Sequence, residues 1–297
     1  MNNVLADPGL EARRRAVGPL EELPPLLQRA FTANDDFEPV PPPGRLDWLR
    51  VAPERGQSFA RFVRGSPGRP DGARPVICLQ PIGPFSRDQA ALLESLQRFA
   101  TAFFARPVRL LPPLTVDRSI TTRTNRFTGV VQLKTRDLLP WLARHVPPDA
   151  YCVLGMTGHD LYAHDRWSFV FGEAIVDDRV AVCSFARYDP RFYGKADADP
   201  ALLLRRTCKV VAHEICHMLG MRHCIYFNCL MNGSNHLAES DRRPLHLCPI
   251  DLRKAHWSLG FDVIHRYREL GEFWRAVGVT DEVQWIERRI EYLRDGS

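Results

Sequence analysis

Nowhere in this chain do about eighteen apolar residues run together, so no membrane-spanning helix is expected. Nor does an apolar stretch follow a basic start, which argues against a secretory leader and makes the cytoplasm the expected location. Strong charge of one sign is also missing: 40 Lys and Arg stand against 35 Asp and Glu, leaving +5, and the basic residues are scattered. Neither a nucleic-acid nor a membrane partner is expected from that balance. The short cluster Arg13, Arg14, Arg15 reads as part of a solvated tail. No internal repeat is found. What is present is ordinary for a folded chain, 45% hydrophobic and 25% charged over 297 residues, enough for one large core or two smaller ones. A monomer is expected.

Eight cysteines would suit a disulfide framework in a small secreted chain, but five of them, Cys208, Cys216, Cys224, Cys229 and Cys248, share one stretch with several histidines. Metal ligation inside the cell is the better reading of that grouping. Cys78, Cys152 and Cys183, together with Cys208 and Cys216, read as small buried hydrophobes. His159, His164, His236, His256 and His265 have no spacing that lifts them above surface or packing roles.

Residues 1–74 hold many of the prolines and glycines and read as an irregular lead-in, with Trp48 and Leu49, flanked by Leu46 and Val51, anchoring it to the body. From Pro75 the texture changes. Val76–Leu79 reads as a buried strand, Ser86 with Gln89 as the capping box of a helix reaching Phe103, and Val108–Leu111 as a second strand parallel to the first. A helix is expected over Leu133–His145, with Pro140 able to kink it, and a third strand over Tyr151–Leu154. Trp167–Ala174 and Arg179–Phe185 read as two strands joined by the acidic turn Asp177-Asp178. Asp199 before Pro200 is an N-cap followed by the residue best suited to the first helical position, and this helix runs to Leu219, where Gly220 ends it. Helices are expected again over Leu252–Leu259, Val263–Trp274 and Glu282–Leu293. The fold class is α+β, close to α/β in texture: a mixed sheet backed by helices.

His213-Glu-Ile-Cys-His217 falls in the last turns of the Asp199-capped helix, where residues four apart share a face, so both imidazoles can reach one metal ion. Glu214 is displaced by about a quarter-turn, which brings its carboxylate to a metal-held water without making it a ligand. Gly220 lets the backbone leave the helix by a left-handed turn, and His223 follows three residues later as a third nitrogen ligand. Three protein ligands leave one open position, the mark of a catalytic zinc.

The stretch from His213 to His223 resembles the metzincins, and the residues after it narrow the resemblance to the archaemetzincin family. In that family the third histidine is followed at once by a cysteine, a second cysteine comes five residues on and a methionine two later, and a Cys-x-x-Cys pair lies downstream. Cys224, Cys229 and Met231 fill the first three places here, and Cys248 the first of the downstream pair. The likeness extends upstream through Asp160–Tyr162, Phe169–Ala174 and Ser184–Tyr188, covering about residues 75–260 and leaving residues 1–70 outside. It implies a metzincin-type catalytic domain over 75–297. In it, residues 75–220 supply the sheet and active-site helix, and 221–297 the third ligand, Met-turn, cysteine cluster and C-terminal helices. It also implies a Met-turn at Met231, an edge strand near Phe169–Ala174 that pairs with an extended peptide, and a second, structural zinc on four cysteines. The chain departs from that pattern at the fourth cysteine, which is Asp251. A carboxylate is a legitimate zinc ligand, and Asp251 is the expected fourth one, with His246 as a competitor and an empty cluster of buried thiols as the remaining alternative.

The function expected is zinc-dependent hydrolysis of peptide bonds in a peptide or protein substrate, with Glu214 taking and returning the proton. Tyr226 and Tyr188 are candidate oxyanion partners. A zinc-stabilised peptide-binding protein of the same fold with little turnover is the alternative, although Glu214 beside an open metal position speaks against it. A zinc-ribbon adaptor would explain the cysteines and leave the histidines without a purpose.

Overall fold

The computed structural model describes residues 7–195 and 199–295. They group into two units: one holds the residues up to 68, 102–104 and those from 220 onward, and the other 69–101 and 105–219. Among the described residues no helix is long and apolar enough to cross a membrane.

The segment read as an irregular lead-in carries four short helices, α1 (Gly9–Val17), α2 (Pro25–Ala30), α3 (Trp48–Val51) and α4 (Phe59–Arg64). Its residues 1–6 lie outside the described ones. Trp48 and Leu49 are part-buried, as anchoring residues would be, while the flanking Leu46 and Val51 are exposed.

The second unit is built on a five-stranded mixed sheet. Its strands are β1 (Val76–Ile82), β2 (Val108–Leu110) beyond the helix α5 (Arg87–Phe104), then β5 (Ala150–Thr157), β7 (Gly172–Ile175) and β8 (Val180–Ser184), in the order β2-β1-β5-β8-β7. All neighbours are parallel except the edge pair β7–β8, an antiparallel hairpin turned at the expected Asp177-Asp178. β1 and β5 are buried at every residue, which is why they read as continuous apolar runs instead of alternating ones. α5 begins with the expected capping box, Ser86 and Gln89 bonding each other's backbone N–H.

A second sheet was not legible from the sequence: β3 (Thr122–Thr124), β4 (Val131–Lys134) and β6 (Asp160–Tyr162), three-stranded in the order β3-β4-β6. β4 takes the first two residues assigned to the expected helix, so that helix, α6, runs only over Thr135–Ala143, with Pro140 inside it. Strand pairing wins there because Gln132 donates from its side chain to the buried Asp160 carboxylate across the ladder. Arg187 closes the same network, donating to both Asp160 oxygens at 2.8 and 2.7 Å. α7 (Pro200–Met218) packs against β5, β7 and β8.

In the first unit the chain continues through α8 (Leu237–Asp241), α9 (Pro249–Leu259), α10 (Val263–Ala276) and α11 (Thr280–Arg294). α10 and α11 pack as a pair, α9 lies against α1 and α4, and α11 against α2. Arg289, fully buried on α11, donates to the Ala30 carbonyl and the Asn34 side chain, stitching the lead-in to the C-terminal helices.

Candidate metal centre and active site

α7 starts where the Asp199 side chain accepts the N–H groups of Ala201 and Leu202, at 2.9 and 3.1 Å, with Pro200 at its first position. It buries Leu204, Cys208, Val211, Ile215 and Met218, and that apolar face fixes its rotation. The four-residue step then brings His213 and His217 together, their Nε2 atoms 3.0 Å apart and their rings nearly perpendicular at 88°. Two imidazole nitrogens converging on one point are a donor set suited to zinc.

Glu214, between them in sequence, is buried, and burial, followed by the neighbouring Glu173 carboxylate, pushes its pKa up to about 8. It lies against the edge strand. A Cβ placed on Gly172 would stand 2.5 Å from Glu214 Oε1, so the carboxyl fills space that any side chain at 172 would take. Thr135 donates its hydroxyl to the Glu173 carboxylate and so holds the second acid of this corner. A buried acid with a second, part-buried one beside it is an arrangement that a cation would relieve of its electrostatic cost. Of the two tyrosines proposed as oxyanion partners, Tyr188 is buried with its ring stacked on Phe171 at 5.0 Å.

Gly220 adopts φ +85°, and His223 follows it in the same unit. The Nδ1 of His223 lies 2.8 Å from Glu54 Oε1, and the Trp48 ring meets the imidazole edge-on at 5.4 Å. Met231 is fully buried, and its carbonyl accepts the Cys224 N–H at 2.8 Å, which ties the methionine loop to the residue beside His223.

The cysteine cluster lies in this same unit. Sγ of Cys224 and Cys248 are 3.7 Å apart, and Asp251 Oδ2 is 3.4 Å from Sγ of both Cys229 and Cys248. The first distance is far too long for a disulfide, and it matches the edge of about 3.7 Å of a tetrahedron with zinc–sulfur bonds of about 2.3 Å. The four candidate donor atoms, one each from Cys224, Cys229, Cys248 and Asp251, lie within 4.8 Å of one another. Backbone N–H groups of Met231 and Cys248 point at Cys229 Sγ, and those of Tyr226 and Phe227 at Cys224. Burial works to raise the Cys224 thiol, but hydrogen bonds from Cys229, Cys248 and these amides outweigh it and hold the group well below its ordinary value. Burial drives Cys229 and Cys248 the other way. Asp251 is pushed up to about 6 by burial, against the pull of Lys254. Lys254 Nζ donates to Asp251 Oδ1 at 2.8 Å, and the two side chains are 1% and 0% exposed.

His246, the competing fourth ligand, is stacked flat on Trp285 at 3.9 Å and edge-on to Phe37, and burial drops its pKa to about 3. Among the described residues one other group, Asp47, His236 and Glu239, has metal-like proximity, yet its acceptors already have donors. Glu239 accepts from the backbone N–H of Trp48 and Asn235 and from Arg243, while Asp47 accepts from Gly44, His236 and Arg242. It is a structural latch.

Glu54, Gly172, Glu173 and Lys254 were not singled out by the sequence. Lys254 carried a signal, three residues after Asp251 on one helix face. Glu54 carried none, lying 169 residues from its partner.

The sequence pattern of peptidase family M54 matches residues 148–256. Archaemetzincin-2 of Rattus norvegicus is 37% identical over 91% of this chain and 86% of its own length, and human archaemetzincin-2 is 38% identical over 82% and 77%. The crystal structure of archaemetzincin from Methanopyrus kandleri, 27% identical, superimposes with a TM-score of 0.52 over 65% of this chain and 99% of its own. A histidine-bearing helix packed on a mixed sheet, together with these matches, defines a zinc metallopeptidase. The chain belongs to the archaemetzincin family. A likeness spanning 91% of the chain reaches into the segment before residue 70, farther than the motifs alone extended it.

Gly172→Ala is expected to lower peptide hydrolysis by about a hundredfold while zinc content stays at the wild-type level, since displacing a catalytic group by about 1 Å has that cost. Peptidase assay alongside elemental analysis checks this, and activity within twofold of wild type would contradict the placement of Glu214.

Proposed function

We propose that His213, His217 and His223 hold one zinc ion and that Glu214 is the general base and acid of peptide-bond hydrolysis on a peptide or protein substrate. The observation that carries this reading is the apposition of the two imidazole nitrogens on α7 with the buried Glu214 carboxyl beside them, against the sheet edge at Gly172. Only five residues separate His217 from His223, and the left-handed turn at Gly220 reverses the chain between them, which supports His223 as the third ligand.

When bound, zinc would supply Lewis acidity, lowering the pKa of a water and polarising the scissile carbonyl. Glu214 takes the proton of the attacking water on its carboxylate and returns it to the leaving amine nitrogen. Burial pushes this carboxyl up to about 8, and a cation held beside it would pull it back toward the range of a base at neutrality. β7, at the sheet edge, offers one side of its backbone to an extended peptide, so that main-chain hydrogen bonds align the substrate along the strand. Met231, buried in its loop, acts as an apolar floor rather than a ligand. In this reading the chain works as a cytoplasmic monomer.

A second zinc on Cys224, Cys229, Cys248 and Asp251 belongs to the same proposal. The distances suit a tetrahedral ion, and Asp251 Oδ2 faces the sulfurs while Oδ1 is taken by Lys254. Three thiolates and a carboxylate around a dication leave two negative charges in a buried place, and the Lys254 ammonium meets one of them.

Glu214→Ala is expected to keep its zinc and lose hydrolysis by about a hundred- to ten-thousandfold, the usual share of general acid–base catalysis. Near wild-type turnover of a peptide library would sink the assignment. Asp251→Cys is expected to bind the second zinc more tightly and to raise the midpoint of thermal unfolding, because thiolate suits zinc better in a sulfur site and the net charge facing Lys254 is unchanged. Elemental analysis with graded chelators checks it: one zinc in wild type and mutant alike would mean that the cysteines are packing residues.

A further inference from the structure

We infer that Glu54, carried by the N-terminal segment, is a positioning residue for the metal centre, orienting His223 through its Nδ1; this rests on the reading of His223 as a zinc ligand. A neutral imidazole offers a metal only one lone pair, and its other nitrogen then carries a proton that needs an acceptor. Glu54 Oε1, 2.8 Å from Nδ1, is that acceptor, which assigns the proton to Nδ1 and leaves the lone pair on Nε2.

The carboxylate is itself held. Trp48 Nε1 donates to the same Glu54 oxygen at 2.7 Å, and the Trp48 backbone N–H donates to the buried Glu239. The indole rests on Gly233, two residues past Met231, so closely that a Cβ there would come within 2.3 Å of it. Residues just beyond Glu54 grip the same loop at two further points. Gln57 donates from its side chain to the Gly220 carbonyl and accepts the Arg222 N–H, both at 3.1 Å, spanning the turn that delivers His223. Gly56, at φ +64°, meets Ile225 so closely that a Cβ would stand 2.6 Å from its Cγ1. The stretch 54–57 thus clamps 220–225 on both sides of the histidine and adds a hydrogen bond to the histidine itself. A merely structural clamp has no use for a carboxylate on the imidazole. The M54 pattern covers residues 148–256, so this positioning group comes from outside the segment that carries the proposed ligands.

The test is metal affinity at the histidine site of the full chain, read by cobalt(II) titration against graded chelators. Ligand-field absorption without thiolate charge transfer reports this site, and the charge-transfer bands report the cysteine cluster separately. Glu54→Ala is expected to weaken cobalt binding at the histidine site about ten- to a hundredfold, the usual effect of removing such a partner. Glu54→Gln, which keeps an oxygen for both donors, should weaken it less, and the thiolate bands should not move in either variant. Thermal unfolding of the metal-free variants separates a lost positioning bond from a loosened fold. Affinity within twofold of wild type in Glu54→Ala, with His223→Ala abolishing the site, would overturn the inference and leave the proposed ligand set standing. Unchanged affinity in His223→Ala would overturn both.

Discussion

The four-residue step between His213 and His217, on a helix whose opposite face is buried, is the constraint on which the rest of the site depends. One turn of helix sets the spacing of the two nitrogens, and burial of Leu204, Cys208, Val211 and Ile215 sets the direction in which they face. The sheet serves that helix. β1 and β5 form a rigid buried platform, and the hairpin β7–β8 brings a strand edge under Glu214 with a glycine where the carboxyl must fit.

Burying ionisable groups is costly, and two of the corners where this chain does so are answered by different partners. The Glu214 corner has a second acid, Glu173, held by Thr135, and no lysine or arginine is hydrogen-bonded to either carboxyl among the described contacts. The Asp251 corner is answered by Lys254, which stays charged because Asp251 outweighs the burial working against it. The first leaves a carboxyl with a raised pKa and no cationic partner among the described contacts, whereas the second is a buried charge pair. A carboxylate standing where the family has a cysteine is thus accompanied by its own cation one helical turn away.

What the sequence revealed, it revealed through local rules. The Ser86 capping box, the Asp199-Pro200 helix start, the Asp177-Asp178 turn and the Gly220 stop each depend on residues within a few positions of one another, and each was legible. The buried strands showed as apolar runs. The three-stranded sheet escaped because Thr122–Thr124 is short and polar and its stability comes from pairing with β4. At the site, the spacing pointed to histidines and cysteines that the structure brings close together, but not to Glu54 and Gly172, whose contacts span 169 and 42 residues of chain. Proline and glycine content made the lead-in look irregular, yet those same residues let it turn tightly enough to grip the loop at 220–225.

Zinc-edge X-ray absorption of the purified wild-type protein tests the central claim most directly, because it reads which atoms surround the metal without regard to activity. The account predicts a first shell containing imidazole nitrogen as well as sulfur, with about 2.0 Å nitrogen and about 2.3 Å sulfur distances. A shell of sulfur with at most the one Asp251 oxygen, and no imidazole scattering, would mean that His213, His217 and His223 hold no metal, and the catalytic reading would fail with them.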